Sequence, residues 1–227
     1  MVKKQGLVIW DLNGTLVDDL HISHKATCAV IQSLRPVQLA SRGLPTLHEY
    51  RELLKGEIIA MYHKYGVPEF VNLNDTDSIR CHRYHNSGYV PALRDHAHQA
   101  LQGLQDSGIQ QAIVSSEGKH TFAHIMGVVG FRIKHMISPR DWFGGCCPKD
   151  EQVLQLAQLH DVPMQKVVYI GDTASDIEMA RRVGALSIGL VHETAYGLES
   201  HVIEARPSAM ISDMRRAVIQ ARMLLFG

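Results

Sequence analysis

"VIWDLNGTLVDD", residues 8–19, decides how the rest of the chain is read. The apolar run Leu7 to Trp10 ends on Asp11, and the turn Asn13–Gly14–Thr15 follows at once. A run this short and continuously apolar reads as a strand buried on both faces. It ends on a carboxylate and then a glycine, which places chemistry at the strand's carboxyl end, where open α/β sheets bind their ligands. Two residues beyond Asp11, where a second carboxylate would make an acid pair, stands an amide, Asn13. Two more acids, Asp18 and Asp19, close the stretch.

The same kind of run recurs along the chain. Gln111–Ser115, His135–Ser138, Lys166–Asp172, Ala185–Leu190 and Ala209–Ile211 read as further strands. Helical patterns fall between them at 94–108, 149–160 and 174–184, the first and last ending at Gly108 and Gly184, as helix C-caps often do. Strand–helix alternation predicts an α/β fold with a doubly wound parallel sheet. Residues 19–88 break the alternation. They carry helical patterns and no strong strand, which predicts a Rossmann-like core from residues 1–18 and 89–227, with a helical cap, 19–88, inserted after the first strand.

Composition narrows the class. The chain has 227 residues, 45% of them hydrophobic, so it can bury a sizeable core. Its 23 Lys plus Arg balance 23 Asp plus Glu, which gives no electrostatic reason to expect nucleic acid or a membrane surface as a partner. A small-molecule ligand fits better, on a monomer or homodimer. Cys28, Cys81, Cys146 and Cys147 are too few, and too unevenly spaced, for a secreted disulfide framework. No apolar run approaches the roughly 18 residues of a membrane span, and Asp11 interrupts the first apolar run, so a cytoplasmic protein is expected. "CHRYH" at 81–85 and "HISH" at 21–24 lack a full set of zinc-spaced ligands.

The polar residues at the predicted strand ends make a coherent set. Asp11 ends the first strand, Ser115 and Ser116 the second, and Asp172 ends "KVVYIGD", with Asp176 one helical turn on. Lys149 opens the preceding helix. Paired carboxylates with a backbone carbonyl suit Mg²⁺, which keeps several waters and binds substrate phosphate. A serine hydroxyl, turn N–H groups and a lysine would hold phosphoryl oxygens. A carboxylate so placed can attack phosphorus to form an aspartyl-phosphate.

Four motifs in order, "DLNGTLVD" at 11–18, "IVSS" at 113–116, Lys149 in "CCPKDEQVL" and "GDTASD" at 171–176, resemble the haloacid dehalogenase-like superfamily. The insertion after the first motif resembles the helical cap of its phosphoglycolate-phosphatase-like branch. The resemblance implies an Mg²⁺-dependent phosphohydrolase acting on a small phosphorylated metabolite. Asp11 would be nucleophile and metal ligand, and Asn13 would lend its backbone carbonyl to the metal. Asp172 and Asp176 would complete the metal site. Ser115, Ser116, Lys149 and the turn at Asn13 would bind the phosphoryl group, with Gly14 supporting the turn and Thr15 orienting Asp11. Residues 17–20 and 87–91 would be the hinges of the cap.

Two departures stand out: Asn13 replaces the family's usual acid, and Lys149 lies in "PKDE" rather than Lys-Pro. An amide neither protonates a leaving group nor activates water. Asn13→Asp is therefore expected to raise turnover, unless His21 or His24 at the cap's root supplies the proton. Lys55 in "ELLKGE" raises the alternative of a C–P bond hydrolase that uses a cap lysine. A catalytically weakened protein that binds phosphate ligands is a third reading. Arg51 is a possible substrate contact, and Cys146 and Cys147 are expected to pack.

Overall fold

The structure is a computed structural model that describes residues 6–54, 58–71, 73–129, 135–137 and 148–227. Lys55, Cys146 and Cys147 lie outside the described residues. Among the described residues, β1 (Leu7–Trp10), β2 (Gln110–Val114), β3 (His135–Ile137), β4 (Val167–Gly171), β5 (Leu186–Leu190) and β6 (Ala209–Ile211) form one 6-stranded sheet. The order is β3-β2-β1-β4-β5-β6, and every pair is parallel. The order therefore reverses beside β1, and the crevice at such a switch point is where doubly wound sheets bind ligands.

Each residue of β1 is fully buried, and alternate residues serve opposite faces. Val8 and Trp10 pack with Ile113, Val168, Ile170, Leu101, Leu104 and Leu225. Leu7 and Ile9 pack on the other face with Val114, Val167, Tyr169, Val153, Leu156 and Met179. Helices thus cover both sides of the sheet, which is why the strands read as unbroken apolar runs.

The predicted strands at 7–11, 111–115 and 166–172 overran by their last residues. Asp11, Ser115 and Asp172 leave the sheet ladder and sit in the loops just past it. A polar residue whose side chain must reach a ligand is more useful one step beyond the last paired residue than inside the ladder.

Between β1 and β2 come α1 (Leu20–Leu34), α2 (Leu47–Leu53), α3 (Ile58–Lys64) and α4 (Leu73–His85), with a short 3-10 turn at Val37–Arg42. They form a helical cap with its own core of Leu20, Val30, Ile31, Tyr50, Met61 and Tyr62. Helix α2 starts in a capping box: Thr46 Oγ1 accepts from Glu49 N, and the Glu49 carboxylate accepts from Thr46 N.

The cap is docked on the core through polar contacts. Arg80 of α4 makes a two-pronged buried pair with Glu117, from the loop after β2, at 3.0 and 2.9 Å. Arg51 of α2 donates to the carbonyls of Gly197 and Glu193. Among the described residues no helix is long and apolar enough to cross a membrane.

Candidate active site

Pairing of β1 with β4, in the register Trp10 opposite Ile170, brings the ends of these two strands together. The Asp11 N–H still donates to Ile170 O at 2.8 Å, so Asp11 begins its loop pinned to β4. The chain then turns sharply, with Leu16 and Val17 N–H groups both donating to Leu12 O. Gly14 makes the turn at φ 76°. A Cβ there would lie 2.3 Å from both Asp172 Oδ2 and Tyr196 Cδ2, so glycine is needed for its conformation and for space.

Asp11, Asp172 and Asp176 converge: all three are buried, and one oxygen from each lies within 4.8 Å of the others. Helix α5 (Lys149–Leu159) delivers Lys149, whose Nζ lies 2.7 Å from Asp11 Oδ1 and 2.8 Å from Asp176 Oδ1. Helix α6 (Ala174–Arg182) begins with Asp176 in its capping box. Asp176 Oδ2 accepts from Thr173 N, leaving Oδ1 for Lys149. Asp176 thus caps the helix with one oxygen and faces Lys149 with the other. Thr15 departs from expectation: its hydroxyl donates to Asp172 Oδ1 at 3.0 Å, not to Asp11. Having left the sheet after Trp10, the chain turns at Gly14 and directs Thr15 toward β4's end. The other Asp172 oxygen accepts from Tyr196 N at 2.5 Å.

Burial dominates the electrostatics. It pushes the Asp11 carboxyl well above the ordinary range; Lys149 pulls it back, and Asp176 and Asp172 add to the rise. Asp172 is raised to about 7 by burial and by Asp176, against the bonds from Tyr196 and Thr15. Lys149 is held well above its usual value: the charges of Asp11 and Asp176 outweigh the effect of its burial. Three carboxylates facing one ammonium leave uncompensated negative charge that a divalent cation would neutralise. A buried all-oxygen donor set of this kind fits Mg²⁺.

Ser115 is buried beside this cluster, where its Oγ donates to Asn13 Oδ1 at 3.3 Å and accepts from Glu117 N. Ser116 is exposed. The Asn13 amide donates to Asp19 Oδ2 at 2.6 Å. Asp19 is buried and also accepts from Gly14 N, Tyr196 OH and Tyr84 OH. Burial pushes its carboxyl up, and the bonds from Tyr84 and Asn13 oppose the rise. Arg94, also buried, holds the turn from behind by donating to Gly14 O at 2.6 Å and Thr15 O at 3.2 Å.

The structure does not bring every candidate inward. His24 is engaged with Pro45 O at 2.7 Å, away from Asn13. His21 is exposed and lines a cavity of about 530 Å³ between the start of α1 and the end of α4, with Asp18, Lys25, Arg83, Tyr89 and Thr194. Arg51 bonds backbone carbonyls of the core loop. Sequence reasoning missed Asp19, Arg94, Tyr196 and the Arg80–Glu117 pair. For Asp19 a signal existed in the doubled acid "VDD", but only the fold turns it back onto Asn13.

Comparison with known proteins agrees with this geometry. The family model described as haloacid dehalogenase-like hydrolase matches residues 8–190, and the chain belongs to that family. A phosphoglycolate phosphatase of Pseudomonas syringae pv. tomato is 21% identical over 218 residues, covering 93% of this chain and 78% of the relative. Among solved structures, a hydrolase from Pseudomonas syringae superposes with TM-score 0.76 at 17% identity, covering 96% of this chain and 98% of that one. A haloacid dehalogenase family hydrolase from Deinococcus radiodurans, solved with bound phosphate and sodium, superposes with TM-score 0.68 at 20% identity, over 97% of each chain. The family match makes the protein a haloacid dehalogenase-like hydrolase, and the solved structures share its fold.

Proposed function

We propose that the protein is an Mg²⁺-dependent phosphohydrolase that cleaves a small phosphorylated metabolite through an aspartyl-phosphate on Asp11. The observation that carries this reading is the lysine bridge: Lys149 Nζ within 2.8 Å of both Asp11 and Asp176, in a buried cluster completed by Asp172. A nucleophilic carboxylate, a fixed ammonium and an oxygen-only metal site at one strand edge form the set that phosphoryl transfer needs. The name of the phosphoglycolate phosphatase relative favours a small phosphorylated acid as substrate.

Asp11, Asp172, Asp176 and the Asn13 backbone carbonyl would hold the metal, which when bound neutralises negative charge on the phosphoryl oxygens. Lys149 and Ser115 bind those oxygens. An Asp11 oxygen attacks phosphorus as the bond to the leaving oxygen breaks; that oxygen departs with the bonding pair as an anion and takes its proton from solvent. Water then attacks the phosphorus, the bond to Asp11 breaks, and both hydrogens of the water end on inorganic phosphate. Residues 19–88 act as a lid over this space, excluding bulk water when seated.

The test is phosphate release from an aryl phosphate. Activity is expected to vanish in excess chelator and return with Mg²⁺. Mg²⁺ affinity should also strengthen as pH rises through about 7, because Asp172 must lose its proton to bind metal. Full phosphate release in excess chelator would contradict the metal-dependent reading.

A further inference from the structure

We propose that Asp19 is a positioning residue for hydrolysis of the phosphoenzyme: it holds the Asn13 amide with its oxygen toward the phosphoryl site, where that oxygen orients the attacking water. This inference rests on the phosphohydrolase reading and deepens it.

The geometry around Asp19 carries the argument. Asp19 is 2% exposed, and four donors reach its two oxygens. Gly14 N and Tyr196 OH meet Oδ1 at 3.2 and 3.1 Å. Asn13 Nδ2, at 2.6 Å, and Tyr84 OH meet Oδ2. An ionised carboxylate only accepts, so the Asn13 group facing it is the NH₂. The Asn13 oxygen must then point the other way, and there it accepts from Ser115 Oγ at 3.3 Å. The charge-assisted bond on the NH₂ side polarises the amide and makes its oxygen a better acceptor. When the Ser115 hydroxyl turns to a phosphoryl oxygen, the Asn13 oxygen is left to take one hydrogen of the incoming water. The amide orients that water and does not deprotonate it.

The two Asp19 oxygens are not equivalent, and this makes the proposal testable. Gly14 N–H points at Oδ1 at 3.2 Å, alongside its shorter bond to Val17 O at 2.8 Å, and an NH₂ facing it would set donor against donor, so in Asp19→Asn the oxygen of the introduced amide is favoured on the Gly14 side. Its NH₂ then faces Asn13, which must turn its own oxygen toward it. An NH₂ now points at the water site, where an acceptor stood. Asn13→Asp alone sets one carboxylate against another at the site of a 2.6 Å contact, so the gain expected from the sequence should not appear in the single variant. The exchange Asn13→Asp with Asp19→Asn rebuilds the bond with its polarity reversed and returns an acceptor oxygen to the Ser115 side.

The experiment measures kcat, KM, the steady-state phosphoenzyme fraction and Tm for wild type, both single variants and the exchange, on one aryl phosphate with Mg²⁺. Asp19→Asn is expected to lower kcat about tenfold or more, the scale of a lost orienting partner. KM should change little, and phosphoenzyme should accumulate. The exchange should recover turnover to at least the wild-type level. Asp19→Asn with turnover within about twofold of wild type, or an exchange no better than that variant in turnover and Tm, would overturn the proposal. Wild type that releases no phosphate defeats the functional reading itself, and the proposal with it. Normal phosphate release with an unproductive exchange defeats only the role of Asp19.

Discussion

Asp11→Asn is expected to abolish phosphate release and leave the fold intact. The amide oxygen is a far weaker nucleophile than the carboxylate, and the acid cluster loses one of its charged metal ligands. The substitution is isosteric, and it relieves repulsion: Asp11 is crowded by Asp172 and Asp176 in a buried site, with Lys149 as the opposing charge. Unfolding midpoints should therefore match or exceed those of wild type while turnover collapses. Residual turnover above about a hundredth of wild type would contradict the assignment, because losing a nucleophile costs more than that.

Lys149→Met should damage both activity and stability. Lys149 is the cation hydrogen-bonded to Asp11 and Asp176, and its side chain is only 20% exposed. Without it the anionic nucleophile faces an anionic phosphoryl group with less compensation, and kcat should fall by about 10²–10³, as when a preorganised donor is removed. The metal-free variant should also lose about 3–5 kcal/mol of stability, as when one partner of a buried ion pair is deleted. The deficit should depend on pH in a defined direction. The raised carboxyls of Asp11 and Asp172 take up protons as pH falls, so the uncompensated charge shrinks. The loss should be larger near pH 8 than near about pH 5. Denaturant midpoints of wild type and variant, in chelator at the two pH values, make the comparison. An equal deficit at both would show that Lys149 stabilises by packing rather than by charge.

The core of the fold was legible because buried parallel strands leave little choice of residue: "LVIW" and "VVYIG" carry no alternation, and the helices at 97–106 and 174–182 stop at Gly108 and Gly184, both with positive φ. The meeting of Asp11, Asp172, Asp176 and Lys149 was legible for a related reason. Each lies at a strand end or helix start, and a parallel sheet gathers those ends along one edge. The unread part of the site depends on contacts across long sequence distances. Tyr196 reaches Asp19 from 177 residues away, and Arg94 reaches the Gly14 carbonyl from 80 away. No local pattern marks such partners. Thr15 was misdirected for the same reason: its neighbour in sequence is Asp11, but the turn at Gly14 aims its hydroxyl at Asp172. Asn13 looked like a deleted acid because its partner, Asp19, is brought to it by the turn through residues 13–19 and by the docking of Tyr84.

The most direct test of a covalent mechanism on Asp11 is mass spectrometry of the acid-quenched enzyme after brief mixing with an aryl phosphate and Mg²⁺. One phosphoryl group should appear on the peptide that carries Asp11, be released by hydroxylamine as an acyl phosphate is, and be missing from Asp11→Asn. Phosphate release with no phosphorylated Asp11 peptide, or with the label on another residue, would contradict the account.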